Sequence, residues 1–284
     1  FDEGPHKEGD YGPYTQSERL DIYHHHTIKL IKSGNAYPCF YPKDRLETIK
    51  SKNIPSEIVA EYDTRFRDLD IDESIEKMKH ENHIVRLKIP SKGCISISDT
   101  IRGTIEFDLS LIQDQIILKS DGFPTYHLAS VIDDHLMNIT HVIRGEEWVA
   151  SLPKHALLYQ AFEWEMPTFV HLPLLLNKDK SKLSKRQGDV AVEDYKLKGF
   201  VKNALINYVA LLGWHGSDNK EIYNFDELID SFSIDRIKSS GAIFDVKKLI
   251  WFNQQYIKNS DSKALLNLIS KMVPSEWNIK IEMI

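Results

Sequence analysis

Residues 140–176 read THVIRGEEWVASLPKHALLYQAFEWEMPTFVHLPLLL, and this stretch decides the fold class. It begins with a short, β-branched and apolar segment at residues 140–143 and ends in a second apolar run at residues 169–176. Between them, Gly145 precedes an acidic pair and a helix that we expect to continue through Trp164. A strand, a helix and a second strand in this order predict an α/β fold with a parallel sheet, whose ligands bind beyond the carboxyl ends of the strands.

The segments before this stretch have a pattern typical of antiparallel strands. Between residues 83 and 118, apolar and polar residues alternate in three short runs, and Gly93 and Gly103 indicate turns between them. The spacing of apolar residues also predicts helices at residues 17–33 and 71–82, with a strand at residues 36–41.

After Val192 the sequence has the pattern of helices throughout. They are predicted at residues 200–212, 225–231, 245–258 and 262–273. A chain of 284 residues is long enough for two domains. We therefore expect an α/β domain at residues 1–191 with a β-rich insertion at about residues 34–118, followed by an α-helical domain at residues 192–284.

Composition and charge exclude several classes of protein. Hydrophobic residues make up 42% and charged residues 27% of the chain, which excludes collagen, coiled coil and general disorder. No run of about 18 apolar residues occurs, so we expect no transmembrane helix and no membrane partner. Two cysteines, Cys39 and Cys94, cannot form a disulfide framework, which favours a reducing compartment. The net charge of −6 does not indicate a nucleic-acid partner, which would have to bind a local basic patch.

A lysine-rich segment follows the second apolar run and contains the sequence KLSKR at residues 182–186. Cations with a small hydroxyl between them can surround a polyphosphate and neutralise the charge that develops on it. A solvated run of surface charge is the alternative for such a segment taken alone. Its position directly after an apolar strand, where α/β proteins bind phosphates, favours the phosphate site.

KLSKR at residues 182–186 resembles the KMSKS signature of class I aminoacyl-tRNA synthetases. Four further blocks are similar, in order, to the glutamyl-tRNA synthetase family: YGPYTQSER at 11–19, DGFPTYHL at 121–128 with DDHLM at 133–137, VIRGEEW at 142–148, and FD with KL at 244–249. The resemblance implies a partial, Rossmann-like class I catalytic domain at residues 1–191, an acceptor-binding insertion at about 34–118 and a stem-contact domain at 192–284. In this family, residues 133–135 are expected to form a turn that makes structural hydrogen bonds.

The resemblance also implies a two-step reaction that uses ATP with Mg²⁺, L-glutamate and tRNA(Glu). Glutamate attacks the α-phosphate of ATP to give glutamyl-adenylate, and the 3′-terminal ribose of the tRNA then takes the glutamyl group. By matching position, the catalytic residues are Lys182, Lys185 and Arg186, whose charges would stabilise the pentacoordinate phosphorus and the leaving pyrophosphate. The implied ATP-binding residues are Glu147, Leu175, Lys182, Ser184 and Lys185.

Three further residues match the glutamate pocket of the family: Tyr126, Ser130 and Arg144. The planar guanidinium of Arg144 suits a carboxylate, although a surface ion pair with Glu146 or Glu147 is the alternative. Tyr126 could instead be a core aromatic. Ser130 stands where many bacterial members carry Asn, which leaves the polar contact at this position open.

The basic patch expected for tRNA lies in the helical domain, where Lys247 and Lys248 are candidate tRNA-binding residues and scattered surface lysines are the alternative. No metal site is expected. Some relatives hold zinc through a Cys-x-Cys pair and a later Cys, whereas this chain has Cys39 followed by Phe40 and Tyr41, and Phe66 at the later position. We expect no zinc, with Tyr41 and Phe66 packed instead.

The HIGH signature of class I synthetases is not in this sequence. We expect it before Phe1, and the anticodon-binding region after Ile284, so this piece alone should have little activity. Residues 181–190 look like those of mitochondrial, bacterial-type members, which predicts a mitochondrial matrix enzyme, with the bacterial cytoplasm as the alternative. A monomer is expected. Glutaminyl-tRNA synthetase, a tRNA-modifying glutamyl-queuosine enzyme and a non-catalytic RNA-binding relative are the alternative functions.

Overall fold

The computed structural model describes residues 2–40, 64–183, 191–218, 220–263 and 265–266, and its contacts divide the chain into two units, Phe1–His171 and Leu172–Ile284. The helices of the first unit are α1 (Leu20–Lys32), α2 (Ile71–Met78), α3 (Tyr126–Leu136) and α4 (Leu152–Ala161). Its strands are β1 (Ala36–Phe40), β2 (His83–Leu87), β3 (Cys94–Asp99), β4 (Gly103–Asp108), β5 (Ile116–Leu118), β6 (His141–Gly145) and β7 (Thr168–Leu172). The domain boundary at residue 191 stays a prediction.

The described strands of the first unit form two sheets. One has the order β1-β2-β5 and is antiparallel, and the other has the order β4-β3-β7-β6, in which β3 runs antiparallel to β4 and parallel to β7. The α/β class is therefore confirmed, with a mixed sheet. The strands predicted as one β-rich insertion are shared between the two sheets, because alternation of apolar residues fixes which face is buried but not which strand is the neighbour.

The β3–β4 hairpin positions one residue of the site. Asp99 at the end of β3 pairs with Gly103 at the start of β4, so the loop contains only residues 100–102. Gly103 has a φ of +70°, a conformation that glycine adopts without steric cost. Asp99 itself is 2% exposed and turns its carboxylate inward.

The core of the first unit lies where α1, α3 and α4 pack on the sheets. Its largest fully buried side chains include Tyr23, Leu30, Leu128, Tyr159 and Phe169. α1 ends at Lys32, close to the predicted end at residue 33, and Gly34 has a φ of +73°, which suits a glycine after a helix C-terminus. These contacts pack α3, α4, β6 and β7 together in one core.

Two predictions of local structure were wrong. Asp133, Asp134 and His135 lie in α3 rather than in a turn. The structural hydrogen bonds expected there are confirmed for Asp133, which accepts from Arg19 Nε at 2.8 Å and from the Tyr23 hydroxyl at 2.7 Å. The apolar run at residues 169–176 is two strands rather than one, because Pro173 lacks the N–H that a continuous ladder needs.

The second unit is mainly helical. Its helices are α5 (Val192–Leu197), α6 (Lys202–Gly213), α7 (Phe225–Ser231) and α8 (Val246–Lys258). Two short strands, β8 (Leu175–Leu176) and β9 (Ala242–Ile243), pair in parallel. Tyr195, Tyr208 and Phe252 are buried in its core. Of the helix predicted at residues 262–273, residues 262–263 and 265–266 are helical, and the others lie outside the described residues.

Phe66 packs against a small cluster that contains the buried Cys39, Tyr37 and Ile84, which confirms the packing predicted for Phe66. Tyr41 lies outside the described residues. Over the described part of the chain, no three His, Cys, Asp or Glu side chains are grouped to hold a metal ion. Among those residues, no helix combines the length and apolarity needed to cross a membrane.

Candidate active site

One face of α3 carries three polar side chains at intervals of four residues: Tyr126, Ser130 and Asp134. Side chains at this spacing lie above one another on a helix. Tyr126 is 39% exposed, and its ring centroid lies 4.4 Å from that of Trp148. The Ser130 hydroxyl is buried without a hydrogen-bond partner among the described residues.

Arg144, on β6, is hydrogen-bonded to three other elements of the first unit. Its Nη1 donates to the Tyr126 hydroxyl at 3.0 Å and to His155 Nδ1 at 3.2 Å, and its Nε donates to His171 Nε2 at 3.0 Å. The guanidinium also lies 5.3 Å from the centroid of the Phe169 ring. Tyr126 and Arg144, both predicted for the glutamate pocket, are thus brought together.

The third nitrogen of Arg144 is different. Nη2 is buried and has no acceptor among the described residues. Glu146, one of the two partners considered from the sequence, pairs with Arg102 instead. A buried guanidinium N–H without an acceptor is costly, because its desolvation is not compensated. A carboxylate that entered from outside would supply both the acceptor and the opposite charge.

The hydrogen bonds determine where the protons of the neighbouring imidazoles lie. Arginine can only donate, so His155 Nδ1 and His171 Nε2 must both be acceptors. His155 Nε2 then carries the proton and donates to His127 Nδ1 at 3.1 Å. His171 Nδ1 carries the proton of that ring and donates a hydrogen bond to the Asp99 carboxylate at 2.6 Å. In this arrangement all three histidines are neutral.

Burial favours the same protonation states. Desolvation lowers the pKa of His127 to about 4, with smaller contributions from Lys154 and Arg144. Burial also lowers the pKa of His155 well below its usual range, and that of His171 in the same direction. These histidines therefore add no positive charge beside Arg144 at neutral pH.

Asp134 has the opposite shift. Burial, followed by the charge of the neighbouring Asp133, raises the pKa of Asp134 to about 6, while Arg144 lowers it. Across from it on α4, burial and the charge of Asp134 raise the pKa of Tyr159, whose hydroxyl is buried without a partner among the described residues. The charge of Arg144 lowers the pKa of both Asp134 and Tyr159, so both groups lie close enough to Arg144 to interact with it.

The predicted ATP-binding residues are divided between the two units. Glu147 is exposed in the first turn of a 3₁₀ helix, Glu146–Ser151. In the second unit, the Leu175 carbonyl accepts a hydrogen bond from the Leu183 N–H at 2.9 Å. Lys182 has an exposed side chain, and its backbone forms an antiparallel β-bridge with Leu176. The remaining loop residues, Ser184, Lys185 and Arg186, lie outside the described residues.

The candidate tRNA-binding lysines begin α8. Both side chains are exposed. The Lys248 ammonium forms an ion pair with Glu221 at 2.5 Å, whereas the contact of Lys247 with Asp245 is made by its backbone N–H at 2.9 Å. The charge of Lys248 is therefore partly neutralised within the chain, and Lys247 is the stronger candidate for a phosphate contact.

A family model described as the catalytic domain of class I tRNA synthetases (E and Q) matches residues 5–251. This chain belongs to that family. It is 50% identical over 263 residues to a glutamate–tRNA ligase of Clostridioides difficile, covering 92% of this chain and 53% of that protein. It is 45% identical over 292 residues to a glutamate–tRNA ligase of Chlorobium luteolum, covering 100% of this chain and 58% of that protein.

Solved structures give the same result. A glutamate–tRNA synthetase from Elizabethkingia anophelis superposes with a TM-score of 0.83 at 37% identity, over 98% of this chain and 61% of that one. A glutamate–tRNA ligase from Elizabethkingia meningosepticum in complex with its amino acid gives a TM-score of 0.84 at 37% identity. The chain spans about half the length of the curated relatives it matches.

Within this class I synthetase domain, several residues of the site were missed from the sequence: Asp99, Asp134, Trp148, His155 and His171. Two of them had a usable signal. Asp134 follows Tyr126 and Ser130 at helical spacing, and His155 precedes Tyr159 by four residues on α4. Asp99 and His171 had no usable signal, because no sequence pattern distinguishes a buried aspartate or histidine that binds another residue far along the chain.

Proposed function

We propose that the protein containing this chain ligates L-glutamate to tRNA(Glu) through a glutamyl-adenylate, using ATP with Mg²⁺. The observation that carries the proposal is Arg144, whose buried Nη2 has no acceptor among the described residues while its other nitrogens are held by neutral groups. Such a site favours a ligand that brings its own carboxylate. The names of the relatives support glutamate as that ligand.

In this mechanism each residue has a limited task. Arg144 and Tyr126 hold one carboxylate of the bound amino acid. An oxygen of its other carboxylate can then attack the α-phosphorus of ATP as pyrophosphate leaves. Lys182, Lys185 and Arg186 neutralise charge on the phosphates, with Mg²⁺ accompanying ATP, and Glu147 and Leu175 contact the nucleotide. A ribose hydroxyl of the tRNA then attacks the glutamyl carbonyl carbon, and AMP leaves.

The wider setting is part of the proposal. Lys247 and Lys248 contact the tRNA backbone, and the enzyme works as a monomer without zinc. The curated relatives and solved structures described above are bacterial, which favours the bacterial cytoplasm over the mitochondrial matrix.

The proposal is tested by ATP–pyrophosphate exchange in the full-length protein with tRNA present, comparing glutamate with glutamine. We expect exchange with glutamate alone and its loss in Lys185→Ala. Exchange with glutamine would favour a glutaminyl-tRNA synthetase. Exchange with glutamate followed by transfer to a modified tRNA base, rather than to the terminal ribose, would favour the queuosine enzyme. The absence of exchange with either amino acid would favour a non-catalytic RNA-binding protein.

A further inference from the structure

Asp99 lies at the end of β3, outside every sequence block used above, and its carboxylate is fully engaged. Oδ1 accepts the N–H groups of Ile101 and Arg102, both at 3.0 Å. Oδ2 accepts the N–H of His171 at 3.1 Å and its Nδ1 at 2.6 Å. One oxygen therefore holds the hairpin loop, and the other holds a residue of β7.

The contact with Asp99 fixes the proton of His171. A carboxylate can only accept, so Nδ1 carries the proton and Nε2 is left with a lone pair. That lone pair accepts Arg144 Nε–H at 3.0 Å. Asp99, His171 and Arg144 thus form a chain in which each donor meets an acceptor, and both Asp99 and His171 are almost completely buried.

We propose that Asp99 is a positioning residue for amino-acid binding: through the tautomer and orientation of His171, it fixes the rotation of the Arg144 guanidinium and so directs Nη2 toward the incoming carboxylate. This inference rests on the proposed function of Arg144. It assigns to the β3–β4 hairpin a role in the affinity for glutamate, although Asp99 does not touch the ligand.

The chain offers a matched control for a role that is only structural. Asp114 is built in the same way as Asp99, with Oδ2 accepting Arg67 Nε at 2.8 Å and the Tyr37 hydroxyl at 2.7 Å, and Oδ1 accepting the Ile89 N–H at 2.8 Å. It lies beside the β1-β2-β5 sheet and holds none of the residues around Arg144. Asp99→Asn and Asp114→Asn should therefore both lower thermal stability, Asp114→Asn also through loss of the ion pair with Arg67, but only Asp99→Asn should change glutamate binding.

Two substitutions of His171 separate its two nitrogens. Asparagine places an amide where Nδ1 was, keeping a donor for Asp99 but leaving Arg144 Nε without an acceptor. Glutamine places its amide where Nε2 was, and its oxygen can accept from Arg144. We expect His171→Asn to raise the KM for glutamate about tenfold with little change in the KM for ATP, and His171→Gln to recover most of that loss.

The experiment is glutamate-dependent exchange in the full-length protein, with Arg144→Lys as the reference. Exchange that responds to Arg144→Lys but not to His171→Asn or Asp99→Asn overturns the inference and leaves the proposed function intact. Failure of wild-type exchange removes the proposed function instead. Nitrogen NMR then gives a readout that is independent of activity. A proton on His171 Nδ1 in the wild type, which moves to Nε2 or exchanges between the two nitrogens in Asp99→Asn, supports the positioning role. A proton on Nε2 in the wild type overturns it.

Discussion

Arg19 and Arg144 are both enclosed by the first unit, but their partners differ in charge. Arg19 is 3% exposed, pairs with Asp133 at 2.8 Å and donates to the Pro13 carbonyl at 2.9 Å. Arg144 donates to two imidazoles and a phenol, and its Nη2 has no acceptor among the described residues. An arginine with an internal carboxylate stabilises the fold. An arginine held only by neutral acceptors is prepared for a carboxylate from outside.

The largest effect is expected on the stability side of this comparison. Arg19→Met leaves Asp133 without its counter-charge, and we expect the free energy of unfolding to fall by about 3–5 kcal/mol. Chemical denaturation measures it. The double variant Arg19→Met with Asp133→Leu should recover part of the loss, because no buried charge then remains unpaired. A loss below about 1 kcal/mol in the single variant would show that the ion pair is not what holds α1 to α3.

Arg144→Lys should have its main effect on the ligand. Lysine keeps the charge but cannot contact His155, His171 and a carboxylate together, so we expect glutamate affinity to fall by about 2–4 kcal/mol, or roughly 30- to 1,000-fold. Isothermal titration with L-glutamate measures this. The free energy of unfolding should change by only about 1 kcal/mol. Unchanged affinity would place the carboxylate site elsewhere.

The neutral histidines around Arg144 predict a dependence of stability on pH. The folded-state pKa of His127 is about 4, below the ordinary value of 6.5, so its contribution is complete above pH 6.5 and is lost as the pH falls toward 4. Asp134 has the opposite effect, because its pKa in the folded state is raised to about 6. Its contribution to the free energy of unfolding is lost as the pH rises through 6.

His127→Asn isolates the histidine, since asparagine retains an acceptor for His155 and does not titrate. Asp134 is common to both proteins and cancels in the comparison. Between pH 7 and pH 5, we expect the wild type to lose about 1 kcal/mol more than the variant, after allowing for the partial exposure of the ring. Parallel curves of unfolding free energy against pH would contradict this.

The smallest effect concerns Ser130. Its hydroxyl is buried without a partner among the described residues, so Ser130→Ala should leave stability unchanged or slightly higher. If the hydroxyl contacts glutamate, affinity should fall about threefold to tenfold. Thr27→Val is the control, because its buried hydroxyl already donates to the Tyr23 carbonyl at 2.8 Å. Thr27→Val should lower stability and leave affinity unchanged. An equal affinity in Ser130→Ala would exclude the contact.

Much of the fold was predictable because local chemistry determined it. The bounds of α1, α7 and α8 were predicted to within a few residues, since apolar spacing and capping residues act over one or two turns. The pairing of β3 with β7 was not predictable, because alternation does not identify a partner 70 residues away. For the same reason Tyr126 and Arg144 came from a family resemblance, whereas Asp99 and His171 required the structure.

The distances along the sequence have a consequence for the order of synthesis. His171 follows its partner Asp99 by 72 residues in the sequence, and Asp133 follows its partner Arg19 by 114 residues. A chain that emerges from the ribosome from its N-terminus therefore presents Arg19 long before its counter-charge exists, and Asp99 long before its hydrogen-bond partner on β7 exists. Because non-local contacts form only after large loops have closed, the first unit gains its cooperative stability late, when β7 has been made. Until then β3 lacks its neighbour β7, and a partly folded intermediate with an unpaired strand edge is prone to aggregation.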